Sequence, residues 1–96
     1  MRVELLYWDG CPSHPEALAL LREVAPEVEV ELREVKTQAE AEELAFPGSP
    51  TIRVDGLDVD PDGASARAAL ACRIYHLPDG RVSPVPSREQ LEAAFS

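Results

Sequence analysis

Asparagine is absent from this chain, lysine occurs once (Lys36), and only 5% of the residues are aromatic. No apolar run approaches the roughly 20 residues that a membrane-spanning helix needs, so no membrane partner is expected. Basic clusters are missing too. Nine Lys and Arg face 18 Asp and Glu, for a net charge of −9, and a chain without clustered cations is a poor match for a phosphate backbone. Nucleic acid is therefore not expected as a partner, and the acidity reads as a well-solvated surface. The two cysteines are too few for a disulfide framework; in a cytosolic chain they are reactive, metal-binding or simply buried, an intracellular structural disulfide being an exception known mainly from hyperthermophiles. Met1-Arg2-Val3-Glu4 runs straight into a strand-like pattern without the regions of a signal peptide, which points to the cytoplasm. Missing Asn and nine prolines suit a thermophile, although a GC-rich genome gives a similar bias.

What is present suits one domain spanning residues 1–96, with no linker, repeat or low-complexity segment. Val3, Leu5, Leu6, Tyr7 and Trp8 form the pattern of a central strand covered on both faces. Asp9-Gly10 breaks it. Ala17, Leu20, Leu21, Val24 and Ala25 then recur at helical spacing until Pro26. If Cys11 is the N-cap of this helix, Pro12 takes the favoured first position; if Ser13 is, Ser13 and Glu16 form a capping box and Pro15 is tolerated. Val28, Val30 and Leu32 alternate with charged residues as in a half-exposed strand near a sheet edge. Thr37 with Glu40 opens a short helix that Pro47-Gly48 ends. Asp55-Gly56 between Ile52-Arg53-Val54 and Leu57 to Val59 is a hairpin signal. Residues 60–71 read as a loop with a short helix, residues 72–77 alternate like a strand, and Ser87 with Gln90 caps a final helix. The order is β-α-β-α-β-β-α, an α/β chain in which either of two pairs of segments could form the closing hairpin.

The stretch Tyr7-Trp8-Asp9-Gly10-Cys11-Pro12-Ser13-His14-Pro15 joins the first strand to the first helix. This turn, the β-α-β spacing and Ser49-Pro50-Thr51 ahead of a later strand together resemble the thioredoxin-like superfamily in its short, glutaredoxin-sized form, over nearly the whole chain. Phe46-Pro47-Gly48-Ser49-Pro50-Thr51 is similar to the matching stretch of small bacterial thioredoxin-family proteins. The resemblance implies a mixed four-stranded sheet flanked by helices, a cis Pro50 packed against a reactive Cys11, and a groove in which Ser49 pairs with an extended substrate beside Pro12, Pro50 and Thr51. Trp8 and Tyr7 are candidates to wall that groove, or else core residues of the central strand. It also implies thiol-disulfide exchange with protein or small-molecule partners. The departure is His14, which stands where a C-x-x-C motif has its second cysteine.

A thiolate near a helix N-terminus is favoured by the positive end of the dipole, and that lowers its pKa toward neutral. Cys11 is thus the candidate nucleophile; the bland alternative is an unreactive cysteine kept by the fold. His14 is a candidate for stabilising that thiolate, donating a proton or binding a metal, or else is a surface residue. Cys72 reads as a small buried strand residue, with a distant resolving thiol as the alternative if the 60–71 loop folds over the site. Cys11, His14, Cys72 and His76 superficially resemble a zinc set, but on a strand Cys72 and His76 lie about 13 Å apart, too far for one ion. No cofactor is expected beyond glutathione or another small thiol as co-substrate. The rival functions are a non-catalytic binding or adaptor module, a homodimer among its forms, and soft-metal or arsenic handling through Cys11 and Cys72.

Overall fold

The computed structural model describes residues 1–61, 63 and 66–96. Its elements in chain order are β1 (Val3–Tyr7), α1 (His14–Val24), β2 (Val30–Glu34), α2 (Gln38–Glu43), β3 (Thr51–Val54), β4 (Leu57–Asp58), β5 (Tyr75–His76), β6 (Val82–Ser83) and α3 (Arg88–Phe95). Four strands form one sheet in the order β2-β1-β3-β4, in which β1 runs parallel to β2 and antiparallel to β3. The β-α-β-α-β-β-α order holds, with one addition: β5 and β6 pair as a separate two-stranded ribbon before α3. Among the described residues, no helix is long and apolar enough to cross a membrane.

Alternation along β1 explains the layering. Val3 and Leu5 meet Ala17 and Leu21 of α1, Ile52 and Val54 of β3, and Leu91 of α3 on one face. Leu6 points the other way and packs with Val35, Ala41 of α2 and Phe46, with Trp8 and Leu70 against them. The central strand is therefore apolar on both faces because helices cover both.

The local signals mark the helix starts unevenly. Thr37 accepts from the Glu40 amide at 3.1 Å, and Ser87 and Gln90 make a reciprocal capping box at 2.9 and 3.1 Å. At α1 the chain takes the second of the two starts, at Ser13, but without the Ser13–Glu16 box. Ser13 is the N-cap, but its backbone is helical and its hydroxyl caps nothing. The apolar alternation of β2 also overreaches, because Leu32 lies on an edge strand where nothing covers it and is 52% exposed. The short helix expected within residues 60–71 falls partly on positions outside the described residues.

Two turns position the later site. α2 ends with the Phe46 amide donating to Ala41 and the Ala45 amide to Glu42, at 2.8 and 3.2 Å, with Ala45 at φ 51°. This is the pattern of a Schellman cap, in which the left-handed residue is usually glycine. It turns Phe46 into the core and starts the chain toward Ser49. Asp55 and Gly56, at φ 53° and 83°, make the two-residue hairpin that brings Asp58 of β4 beside Arg53 of β3.

Candidate functional site: the Cys11–Cys72 disulfide

Cys11 sits between the end of β1 and the start of α1. Its amide donates to the Trp8 carbonyl at 3.0 Å, closing a turn at Gly10, where any Cβ would run into the Trp8 indole. The side chain points inward, and Cys11 is 1% exposed. Its sulfur lies 3.6 Å from the Ser49 carbonyl oxygen and 3.8 Å from the Ser13 hydroxyl. The hydroxyl that fails to cap α1 therefore faces the sulfur instead. The Ser49–Pro50 bond is cis.

Cys72 is not a buried strand residue. It is exposed and forms a disulfide with Cys11 across 61 positions of sequence, with the two Cα atoms 5.5 Å apart. That separation is inside the range a bridge requires. Both cysteines are thus paired. The expectation of a continuous 72–77 strand fails because only Tyr75 and His76 join a ladder, while Cys72 makes a lone parallel bridge to Ser49.

Residues 68–76 form a strap laid across the chain that leads into β3. The Ser49 amide donates to the Ala71 carbonyl and the Arg73 amide to the Ser49 carbonyl, both at 2.8 Å. The Ala69 amide donates to the Phe46 carbonyl at 2.9 Å, and the Gln38 side chain bonds the backbone of Ala68 and Leu70. Both backbone groups of Ser49, the residue expected to pair with an extended substrate, are thereby taken by the protein's own chain. Gly48, at φ 126°, lets the strap this close, since a Cβ there would stand 3.1 Å from the Arg73 Cα.

Side chains then lock the strap. Arg73 makes a bidentate ion pair with Asp58 at 2.7 and 2.9 Å, and the two side chains are only 6% and 7% exposed. The same guanidinium donates to the Thr51 hydroxyl at 3.2 Å and lies 4.2 Å over the Tyr75 ring. Burial works against the Arg73 charge, but the Asp58 hydrogen bond and the fields of Tyr75, Asp58 and Asp60 outweigh it, and its pKa ends above the ordinary value. The Tyr75 hydroxyl donates to the Pro50 carbonyl at 2.6 Å. Burial pushes its pKa well up, and Arg73 opposes that only in part.

Of the residues singled out from sequence, Cys11, Cys72, Ser49 and Pro50 converge, and Pro12 is exposed at the adjoining turn. Thr51 does not line a groove. It is fully buried, donates to the Gly48 carbonyl at 2.6 Å and receives Arg73. Trp8 packs against the Leu6 cluster. His14 stacks on Tyr7 with ring centroids 4.1 Å apart, and no hydrogen bond joins it to Cys11 among the described residues. His14 Nδ1 and Ser49 Oγ are the two buried side-chain polar atoms without a partner among the described residues, so both orphans belong to this site.

Sequence reasoning missed Asp58, Arg73 and Tyr75. The ion pair spans 15 positions and the tyrosine bond 25, so no local spacing announces them. Among the described residues, no three His, Cys, Asp or Glu side chains are placed to hold a metal ion. Comparison with protein-family models, curated proteins and solved structures finds no match.

Proposed function

We propose that this chain is a thiol-disulfide exchange protein of thioredoxin-like fold, with Cys11 and Cys72 as its redox pair. The observation that supports this best is the Cys11–Cys72 disulfide seated against a cis Ser49–Pro50 bond at the junction of β1 and α1. A sulfur just ahead of a helix N-terminus, with the Ser13 hydroxyl 3.8 Å away, has surroundings that favour its anion once the bond opens. The pair cycles between disulfide and dithiol, passing two electrons between a small thiol such as glutathione and a protein or small-molecule disulfide in the cytoplasm.

The test is turnover of a disulfide substrate with glutathione as electron donor, comparing wild type with Cys11→Ser and Cys72→Ser. The expected outcome is turnover by wild type that one variant abolishes and the other lowers, since glutathione can itself resolve the mixed disulfide left when the internal thiol is missing. A folded wild-type protein whose disulfide glutathione leaves intact would reduce the bridge to a structural staple and the chain to a binding module.

A further inference from the structure

The two sulfurs of the bridge occupy opposite environments. Cys11 is 1% exposed, between Trp8, Ser13 and the Ser49 carbonyl, whereas Cys72 is an exposed residue on the strap. Cys72 also lines an open groove of about 300 Å³, together with Pro47, Asp60, Ile74 and His76. That volume is at the lower end of small-ligand sites. Thiol-disulfide exchange depends on which sulfur is accessible and on which thiol leaves more readily. An incoming thiolate must approach along the S–S axis from behind the sulfur it attacks. Cys11 is buried, so solvent offers no such approach to its sulfur.

We infer that Cys72, and not the motif cysteine Cys11, is the sulfur that meets external thiols and disulfides, in the groove beside Ile74 and His76, while Cys11 is the internal resolving thiol. This rests on the exchange function proposed above and reverses the order that the motif suggests. In reduction of the protein, a thiolate attacks the Cys72 sulfur, a mixed disulfide forms there, and the Cys11–Cys72 bond breaks with its electron pair leaving on Cys11. A second thiolate attacks the external sulfur of the mixed disulfide, releasing a small-molecule disulfide and the Cys72 thiolate. Two thiols are thereby oxidised and the protein gains two electrons. With a substrate disulfide the steps reverse: Cys72 attacks, one substrate thiolate leaves, and Cys11 attacks the Cys72 sulfur to restore the bridge and expel the second.

Burial and leaving-group chemistry agree on this direction. The departing Cys11 thiolate stays beside the Ser13 hydroxyl and just ahead of α1. The strap has reason to stay in place meanwhile, because Arg73, the next residue, is held by the buried Asp58 pair independently of the bridge.

The oxidised wild-type protein is mixed with reduced glutathione, quenched within milliseconds to seconds by acid and then a maleimide, and digested after arginine. Cleavage at Arg2, Arg22, Arg67 and Arg73 places the two cysteines in separate peptides, residues 3–22 and 68–73. Glutathione should be at least tenfold more abundant on the Cys72 peptide, with the maleimide on Cys11. The reverse or an even distribution overturns the inference while leaving the exchange function standing. No reduction at all overturns both.

A second arm leaves the cysteines untouched. Ile74 is 63% exposed at the groove. Ile74→Glu should slow reduction by anionic glutathione about threefold at low salt, and Ile74→Lys should accelerate it by a similar factor. Equal rates for the two variants would contradict entry at Cys72.

Discussion

The four-stranded layer and the strap are held by different kinds of interaction. The β2-β1-β3-β4 sheet is joined by continuous ladders and by two apolar clusters, each built from many small contributions. The strap at residues 68–76 has one lone bridge and a two-residue strand. It relies instead on a few strong anchors: the disulfide, the Arg73–Asp58 pair and the Tyr75–Pro50 bond. Removing one contact from the sheet weakens it gradually. Removing one anchor from the strap takes away a large share of its support in a single step while the other anchors still seat it, and that is a physical basis for a site that responds to a chemical event at one bond.

The anchors predict a graded series of losses. Asp58→Ala should cost the most, about 3–5 kcal/mol, because it leaves the Arg73 guanidinium buried without its carboxylate. Denaturant unfolding checks this, and a loss below about 1 kcal/mol would mean that the strap is seated without the pair. Cys72→Ser should cost about 4 kcal/mol in the chain-entropy account of a closed loop of this length. Limited proteolysis of that variant should cut first in the strap, with the sheet intact.

Tyr75→Phe should cost about 1 kcal/mol through the Pro50 carbonyl left without its donor. The same residue sets a pH limit. Its hydroxyl is neutral in both states below the ordinary value of 10.0, and burial raises the folded pKa, so above that pH the unfolded chain loses its proton first. Stability should fall as pH rises through 10, and Tyr75→Phe should flatten that slope in alkaline unfolding curves. The smallest effect lies outside the strap. Ala45→Gly should stabilise the chain by about 0.5–1 kcal/mol by relieving a left-handed alanine at the end of α2, seen as a small rise in Tm.

The contrast also explains what the amino-acid sequence reveals. The Thr37 and Ser87 caps, the Asp55-Gly56 hairpin and the two-faced run in β1 are local patterns, and each marks an element that forms. The strap carries no such pattern, since its order comes from partners far away in the chain. Alternation from Cys72 to Leu77 therefore resembles a strand that is only two residues long in the fold. No local pattern singles out Arg73, whose buried partner Asp58 is supplied from β4. Ser13 fits a capping pattern yet faces a sulfur, and Leu32 follows a buried rhythm on an edge that nothing covers. In both places the tertiary surroundings override a local preference.

Equilibration of the wild-type protein in glutathione buffers of graded ratio, with thiols counted by alkylation and fold monitored by far-ultraviolet circular dichroism, bears most directly on the redox role proposed for Cys11 and Cys72. A single two-electron transition in which Cys11 and Cys72 gain their thiols together, while the dichroism of the sheet and helices persists, is the predicted result. A bridge that resists every buffer until the chain is unfolded would contradict the account.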